Sequence, residues 1–208
     1  MALKSIGIDL FKSIINESKE NPDLLDSYSL NQFKSKENLL HHINKLKLTN
    51  PYITIFGSWY GSILIPALID QAKHITCVDI DERVISVAKN RLFQKYKNID
   101  FIVGDVFEFR EQYRTTDLFI NTSCEHMKSM KEWGPAPKYK NPWWNRVAPA
   151  YFAFQSNNMF DIEGHINCCY SIEQFAAQLP RNATIIQSDQ VEDNRGTRFT
   201  LVGKLCAE

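Results

Sequence analysis

The sequence predicts an α/β domain: a seven-stranded, mostly parallel sheet layered between helices, preceded by an N-terminal helical extension. Three observations carry this. Residues 51–81 run from a β-rich stretch through a turn with Gly57 and Gly61 and an apolar helical pattern to a second β-rich stretch ending at Asp79, which is the rhythm of a βαβ unit. The alternation of β-rich and helical stretches continues from there. The chain then closes on two strand-like runs, 183–188 and 197–205, joined by the polar stretch 189–196, as a terminal hairpin would.

Composition fits one such domain. At 208 residues with 44% hydrophobic content, the chain has enough apolar surface for one sizeable core. Lys plus Arg equals Asp plus Glu at 24 each, so no long-range field favours nucleic acid or an acidic membrane. The five cysteines have no CxxC spacing, which argues against a disulfide framework and a zinc site and suggests a reducing compartment. No metal is expected. With neither a leader-like N-terminus nor an apolar run near 18 residues, the expectation is a soluble, cytoplasmic protein without membrane partners.

Residues 1–48 are expected to form a helical cap or lid, with 49–208 as the main domain. Ile6, Leu10, Ile14 and Ile15 recur at helical spacing before Asn21-Pro22-Asp23 breaks the pattern, and a second helix carries Phe33, Leu39, Leu40, Ile43 and Leu46. His41 and His42 are adjacent on that helix and face different ways, so they read as a solvated pair. The first strand, 52–56, leads into Phe56-Gly57-Ser58-Trp59-Tyr60-Gly61. Glycine there lets backbone approach a ligand where a side chain would collide, and the helix start that follows, 61–72, offers unpaired N–H groups. Asp79, closing the second strand about 20 residues on, suits the hydroxyls of a ribose.

These residues resemble the class I S-adenosylmethionine-dependent methyltransferase family, which has a Rossmann-like sheet with an antiparallel last strand. The turn departs from that family's GxGxG in placing Trp59 at the middle glycine. The resemblance, which covers roughly residues 50–205 by order and spacing, implies S-adenosyl-L-methionine as cofactor. It places Gly57, Ser58, Trp59, Tyr60 and Gly61 at the donor's amino-acid portion and Asp79 with Ile80 at the ribose.

The next helix begins after Asp81, which reads as its N-cap, and turns Val84, Ile85, Val87, Ala88 and Leu92 to the sheet. Strand 98–103 ends in Gly104-Asp105-Val106. Gly-Asp is a common turn pair, and the resemblance also makes it the adenine bracket. Strand 116–121 ends in Asn121-Thr122-Ser123-Cys124-Glu125-His126. Polar groups beyond the carboxyl end of a strand lie at the ligand crevice of such sheets. By resemblance Asn121, Thr122 and Ser123 line the cofactor, with Glu125 and His126 at the transfer site, where His126 is a base or an orienting group; otherwise Ser123 caps a helix that Glu125 favours. The Asn/Asp-Pro-Pro-aromatic tetrad of amino-directed base methyltransferases and the Pro-Cys of cytosine C5 enzymes are both missing here.

Residues 130–147 hold three of the four tryptophans among glycines and prolines. This segment is either a binding loop that brings Trp143 and Trp144 to a substrate or a loop pinned to the body by its rings. Strand 150–155 delivers Gln155, Asn157 and Asn158, with His165 further on, as acceptor-reading groups or a self-satisfied turn. Helix 171–179 carries Ser171 as N-cap and Gln174 at the capping-box position.

The leading expectation is methyl transfer from S-adenosylmethionine to a small or polar acceptor. The alternatives are a non-catalytic module of the same fold that binds cofactor or partner, a different S-adenosylmethionine-consuming transferase, and an NAD-dependent dehydrogenase. The last expects GxGxxG, and Trp59-Tyr60 crowd the approach of a pyrophosphate.

Overall fold

The computed structural model describes residues 7–108, 111–130 and 149–206. Trp143 and Trp144, the aromatic candidates for substrate contact, lie outside the described residues.

Seven strands form one sheet in the order β3-β2-β1-β4-β5-β7-β6. They are β1 (Tyr52–Phe56), β2 (His74–Asp79), β3 (Ile99–Val103), β4 (Leu118–Asn121), β5 (Ala150–Asn157), β6 (Ala183–Asp193) and β7 (Gly196–Leu205). Strands β1 to β5 are mutually parallel, and β7 runs antiparallel to both β5 and β6. This is the predicted Rossmann-like sheet with its antiparallel closing strand.

The period-2 geometry of strands sorts side chains between two cores. On one face Ile53, Ile55, Leu118, Ile120 and Ala153 pack with Ile65 and Leu68 of α4 (Leu64–Leu68) and Val84 of α5 (Glu82–Val87). On the other, Phe56, Phe119, Phe152 and Phe154 pack with Phe175 of α6 (Ile172–Ala176) and Phe199. Burial on both faces explains why these strands read as near-continuous apolar runs. The N-terminal helices α1 (Ile8–Glu17), α2 (Asp23–Asp26) and α3 (Leu30–Lys45) contribute Leu10, Ile14, Leu24, Leu39, Leu40 and Ile43 to the first core.

Caps and breaks explain the local boundaries. Asp81 Oδ1 accepts the Arg83 and Val84 N–H groups at the start of α5, and Ser171 caps α6. Pro66 falls within the first turn of α4, where it costs no helical hydrogen bond. That helix is shorter than the pattern over 61–72 predicts.

Two further expectations are corrected. The polar stretch 189–196 is not a loop: β6 runs on to Asp193 and pairs with β7 through Asp193↔Gly196, leaving only Asn194 and Arg195 in the turn. Alternating polar side chains on a half-exposed edge strand read as loop because only one of its faces is covered. His42 is likewise not solvated. It is 6% exposed, with Nδ1 2.9 Å from Gln187 Oε1 and Nε2 2.9 Å from Asp189 Oδ2, because α3 lies across β6 and β7.

Candidate functional site

The carboxyl ends of β1, β2, β3 and β4 open into a cavity of about 730 Å³. Gly57, Ser58, Trp59, Gly61, Asp79, Ile80, Gly104, Asp105, Val106, Thr122, Ser123, Glu125, His126 and His165 all line it. The glycine turn and both strand-tip carboxylates therefore share one pocket, and Trp59 forms part of its wall.

The turn is held by Asp79. Its Oδ2 accepts the Trp59 N–H at 2.7 Å, its Oδ1 accepts the Asp81 N–H at 3.0 Å, and its backbone carbonyl accepts the Gly104 N–H at 2.8 Å. One residue thus joins the ends of β1, β2 and β3. Gly57, Trp59 and Gly61 all have left-handed backbones, with φ of 54°, 48° and 64°. For a tryptophan this costs roughly 1–2 kcal/mol, which the charge-assisted bond from its N–H to Asp79 offsets. Glycine is required at 57 for space as well. A Cβ there would stand 2.7 Å from Met127 Cε and 3.1 Å from Ser123 Cβ.

Asp105 Oδ1 accepts the Phe107 N–H at 2.9 Å, closing the turn after β3. Asn121 does not line the cavity. It is buried, its Oδ1 accepts the Ser123 N–H at 2.9 Å and its Nδ2 contacts Met127 Sδ at 3.2 Å, so it shapes the loop that presents Thr122 and Ser123. Ser123 makes no side-chain cap bond to the one-turn 3₁₀ helix Cys124–His126. Tyr60 also turns away. Its ring is fully buried and its hydroxyl donates to Asp23 Oδ1 at 3.0 Å and accepts from Arg83 Nη1 at 2.6 Å, tying α2 to α5. Burial and the Asp23 carboxylate push its pKa up to about 12.

Also on the cavity wall, Glu125 and His126 meet His165. The Glu125 carbonyl accepts the N–H groups of Ile166 and Asn167, both at 2.9 Å. That pins the 162–167 loop against the turn, and the two imidazoles meet edge to face with centroids 4.5 Å apart. His126 Nδ1 lies 3.1 Å from Gly164 O and His165 Nδ1 2.9 Å from Met159 O. A carbonyl only accepts, so in each neutral ring the proton sits on Nδ1 and the lone pair on Nε2. Burial lowers the His165 pKa, the nearby Glu125 opposing it. Glu125 is 4% exposed, and its Oε2 has no hydrogen-bond partner among the described residues. Burial holds the neighbouring Cys124 thiol well above its usual range, making it inert.

The amides after β5 do not reach the cavity. Gln155 Nε2 donates to Ser35 O at 3.0 Å and Thr200 Oγ1 at 2.9 Å, and its Oε1 accepts from Ser35 Oγ at 2.9 Å. Asn157 Oδ1 accepts the Met159 N–H at 2.9 Å, and Asn158 Oδ1 accepts the Thr197 N–H at 2.7 Å. All three hold sheet, helix and hairpin together.

Sequence reasoning missed a cationic wall. Lys36 from α3, with Arg195 and Arg198 from the β6–β7 hairpin, lines the same cavity. Lys36 keeps some access to the cavity, but its ammonium lies deep; burial, helped by Arg198 and opposed by Glu125, lowers its pKa to about 7. Its Nζ donates to Gln32 Oε1 at 2.7 Å. No local signal marks Lys36, which stands in an ordinary charge-mixed helix.

No protein-family profile and no curated protein matches the sequence. Solved structures match the fold. N-methyltransferase NodS from Bradyrhizobium japonicum WM9, in complex with S-adenosyl-L-homocysteine, superposes with a TM-score of 0.67 at 15% identity, covering 95% of this chain and 98% of that one. An S-adenosylmethionine-dependent methyltransferase from Clostridium acetobutylicum gives 0.64 at 12% identity, covering 92% and 98%. Magnesium protoporphyrin IX methyltransferase (ChlM) from Synechocystis PCC 6803, with bound S-adenosyl-L-homocysteine, gives 0.61 at 12% identity, covering 85% and 83%. The chain has the class I methyltransferase fold.

Proposed function

We propose that this protein binds S-adenosyl-L-methionine and transfers its methyl group to a small, polar acceptor. The observation that carries the reading is the convergence of the left-handed Gly57–Gly61 turn, Asp79 and Asp105 on one cavity, in a fold shared with structures that hold S-adenosyl-L-homocysteine. Asp79, with spare lone pairs on both oxygens, takes the ribose hydroxyls, and Asp105 takes the exocyclic amine of adenine. The sulfonium already activates the methyl carbon, so the protein's task is to align acceptor, methyl and sulfur. Glu125, His126 and His165 stand on the acceptor side. His126 Nε2, with its lone pair free of the Gly164 contact, orients the acceptor or takes its proton.

Calorimetry with S-adenosylmethionine, S-adenosylhomocysteine and NAD on wild type, Asp79→Ala and Asp105→Asn tests this. The sulfur ligands should bind the wild type, and each variant should lose about tenfold or more, the scale of one charge-assisted hydrogen bond. Binding of NAD alone refutes the reading. Because Asp79 also holds the Trp59 N–H, unfolding curves must accompany its titration, and Asp105→Asn supplies the independent arm.

None of the helices among the described residues is long and apolar enough to cross a membrane. A cytoplasmic location, with no nucleic-acid or membrane partner, is part of the same proposal.

A further inference from the structure

Glu125, His126 and His165 each offer one ligand atom, and these atoms lie within 4.8 Å of one another on the wall of the cavity. Two features of this cluster do not follow from packing. A buried carboxylate oxygen ordinarily has a hydrogen-bond partner, yet Glu125 Oε2 is enclosed and has none among the described residues. Both imidazoles spend Nδ1 on backbone carbonyls, Gly164 O and Met159 O. This is how ligating histidines are oriented, with the second nitrogen fixed so that the first presents its lone pair. Glu125 Oε2 and two imidazoles, each with one nitrogen not engaged by those carbonyls, thus stand together on the cavity wall.

We propose that Glu125, His126 and His165 bind a divalent first-row transition ion such as zinc, manganese or iron(II). Two imidazoles and one carboxylate select these borderline cations over magnesium or calcium, which prefer all-oxygen shells. Three protein ligands leave a coordination position open to the cavity, the arrangement of a site that also receives substrate. Bonds of about 2.0–2.2 Å require the three ligand atoms, within 4.8 Å of one another, to draw closer on binding. Two cations that line the cavity have partners of their own: Arg198 Nε faces Asp193 Oδ2 at 3.4 Å, and Lys36 Nζ donates to Gln32 Oε1. Binding of the ion stands apart from the methyl-transfer reading. Its role rests on that reading: the ion holds an acceptor oxygen and lowers its pKa as a Lewis acid, and His126 is then a ligand rather than the base.

The ligands come from segments some 40 residues apart and share no CxxC or HxxH pattern, which is why cysteine and histidine spacing predicts no metal here. The test uses the full chain, purified without a polyhistidine tag and stripped with chelator, then titrated with Co²⁺ followed by absorption and with Zn²⁺ followed by calorimetry. One ion per chain is expected, with Co²⁺ bands that report nitrogen and oxygen ligation. Glu125→Gln and His126→Ala should each weaken binding by about tenfold or more; the first is isosteric and the second falls on an exposed ring, and unfolding curves confirm that both remain folded. An uptake that the two variants match, or no uptake at micromolar protein, overturns the proposal. S-adenosylmethionine titrated into the same stripped samples separates this failure from that of the methyl-donor reading.

Discussion

Lys36 gives the sharpest test of the cavity's electrostatics. Its pKa falls from the ordinary 10.5 to about 7 because burial disfavours the ammonium and Arg198 repels it. At about 1.36 kcal/mol per unit, keeping this lysine charged in the folded protein costs at most roughly 4–5 kcal/mol. The unfolded chain holds the proton up to pH 10.5 and the native protein only to about 7. Between those values the unfolded state binds more protons, so this residue makes stability rise with pH, and its full penalty is present below pH 7. Lys36→Met keeps the aliphatic stem and removes the charge. It also loses the bond to Gln32 Oε1, worth about 1 kcal/mol net. The variant should therefore be more stable than wild type at pH 6, by up to about 3–4 kcal/mol, and the difference should vanish or reverse towards pH 10.5. Urea unfolding of both proteins across that range measures it. The thiols of buried Cys77 and Cys124 and half-buried Cys168, raised by burial, draw stability down at alkaline pH in both proteins alike and cancel in the difference. A difference that stays flat from pH 6 to 10.5 would falsify the assignment of Lys36 as a buried, mostly uncompensated cation.

Two further outcomes follow from the geometry. Gly57→Ala places a Cβ at φ 54° against Met127 and Ser123. It should destabilise by about 1–3 kcal/mol in denaturant titrations and weaken S-adenosylmethionine binding in calorimetry; wild-type affinity would show that the turn does not approach the ligand. At acid pH, Asp189 is the group to follow. Its carboxyl is held below the ordinary 3.8 first by the hydrogen bond from His42 and, more weakly, by Asn38, so its contribution is intact above that value and lost as pH falls through the folded pKa. Asp189→Asn should show a shallower loss of stability below about pH 4, and an unchanged acid limb would contradict the role of this contact in fastening α3 to β6.

Most of the sheet was legible because its strands announce themselves locally: apolar runs at 52–56, 75–79 and 99–103 are bounded by turn residues, with Asp79 closing the second and Asp105 in the turn after the third; the polar second half of β6 was not. The grouping of the glycine turn with the strand-tip acids was legible for the same reason, since glycines and acids sit at fixed offsets from those runs. What stayed hidden depends on contacts between distant segments. Gln155, Asn157 and Asn158 look like a polar reading head because they follow a strand, yet Gln155 is bonded to Ser35 and Thr200, and the side-chain oxygens of Asn157 and Asn158 accept from Met159 and Thr197. Tyr60 belongs to the glycine turn in sequence but points to Asp23 and Arg83. Lys36 and Arg198 carry no motif at all, and the bond network that sets them at the cavity is tertiary.

That network bears on specificity. Asn38 Nδ2 donates to Asp189 Oδ2 at 2.8 Å, and its Oδ1 accepts from Thr200 Oγ1 at 2.9 Å; Ser35 bonds Gln155, and His42 bonds Gln187 and Asp189. One face of α3 is thereby fastened to β5, β6 and β7 along three successive turns, which sets the backbone of Lys36, adjacent to Ser35, beside the cavity. Backbone turns and strand-tip acids form one part of the cavity wall, features that suit any adenosine-type cofactor. The rest of the wall is formed by individual side chains from α3, the Cys124–His126 turn, the 162–167 loop and the hairpin: Lys36, Arg195 and Arg198 together with a buried carboxylate and two imidazoles. In the proposed reaction, choice of acceptor therefore rests on the helical extension and the closing hairpin, and the parallel strands set only the choice of donor.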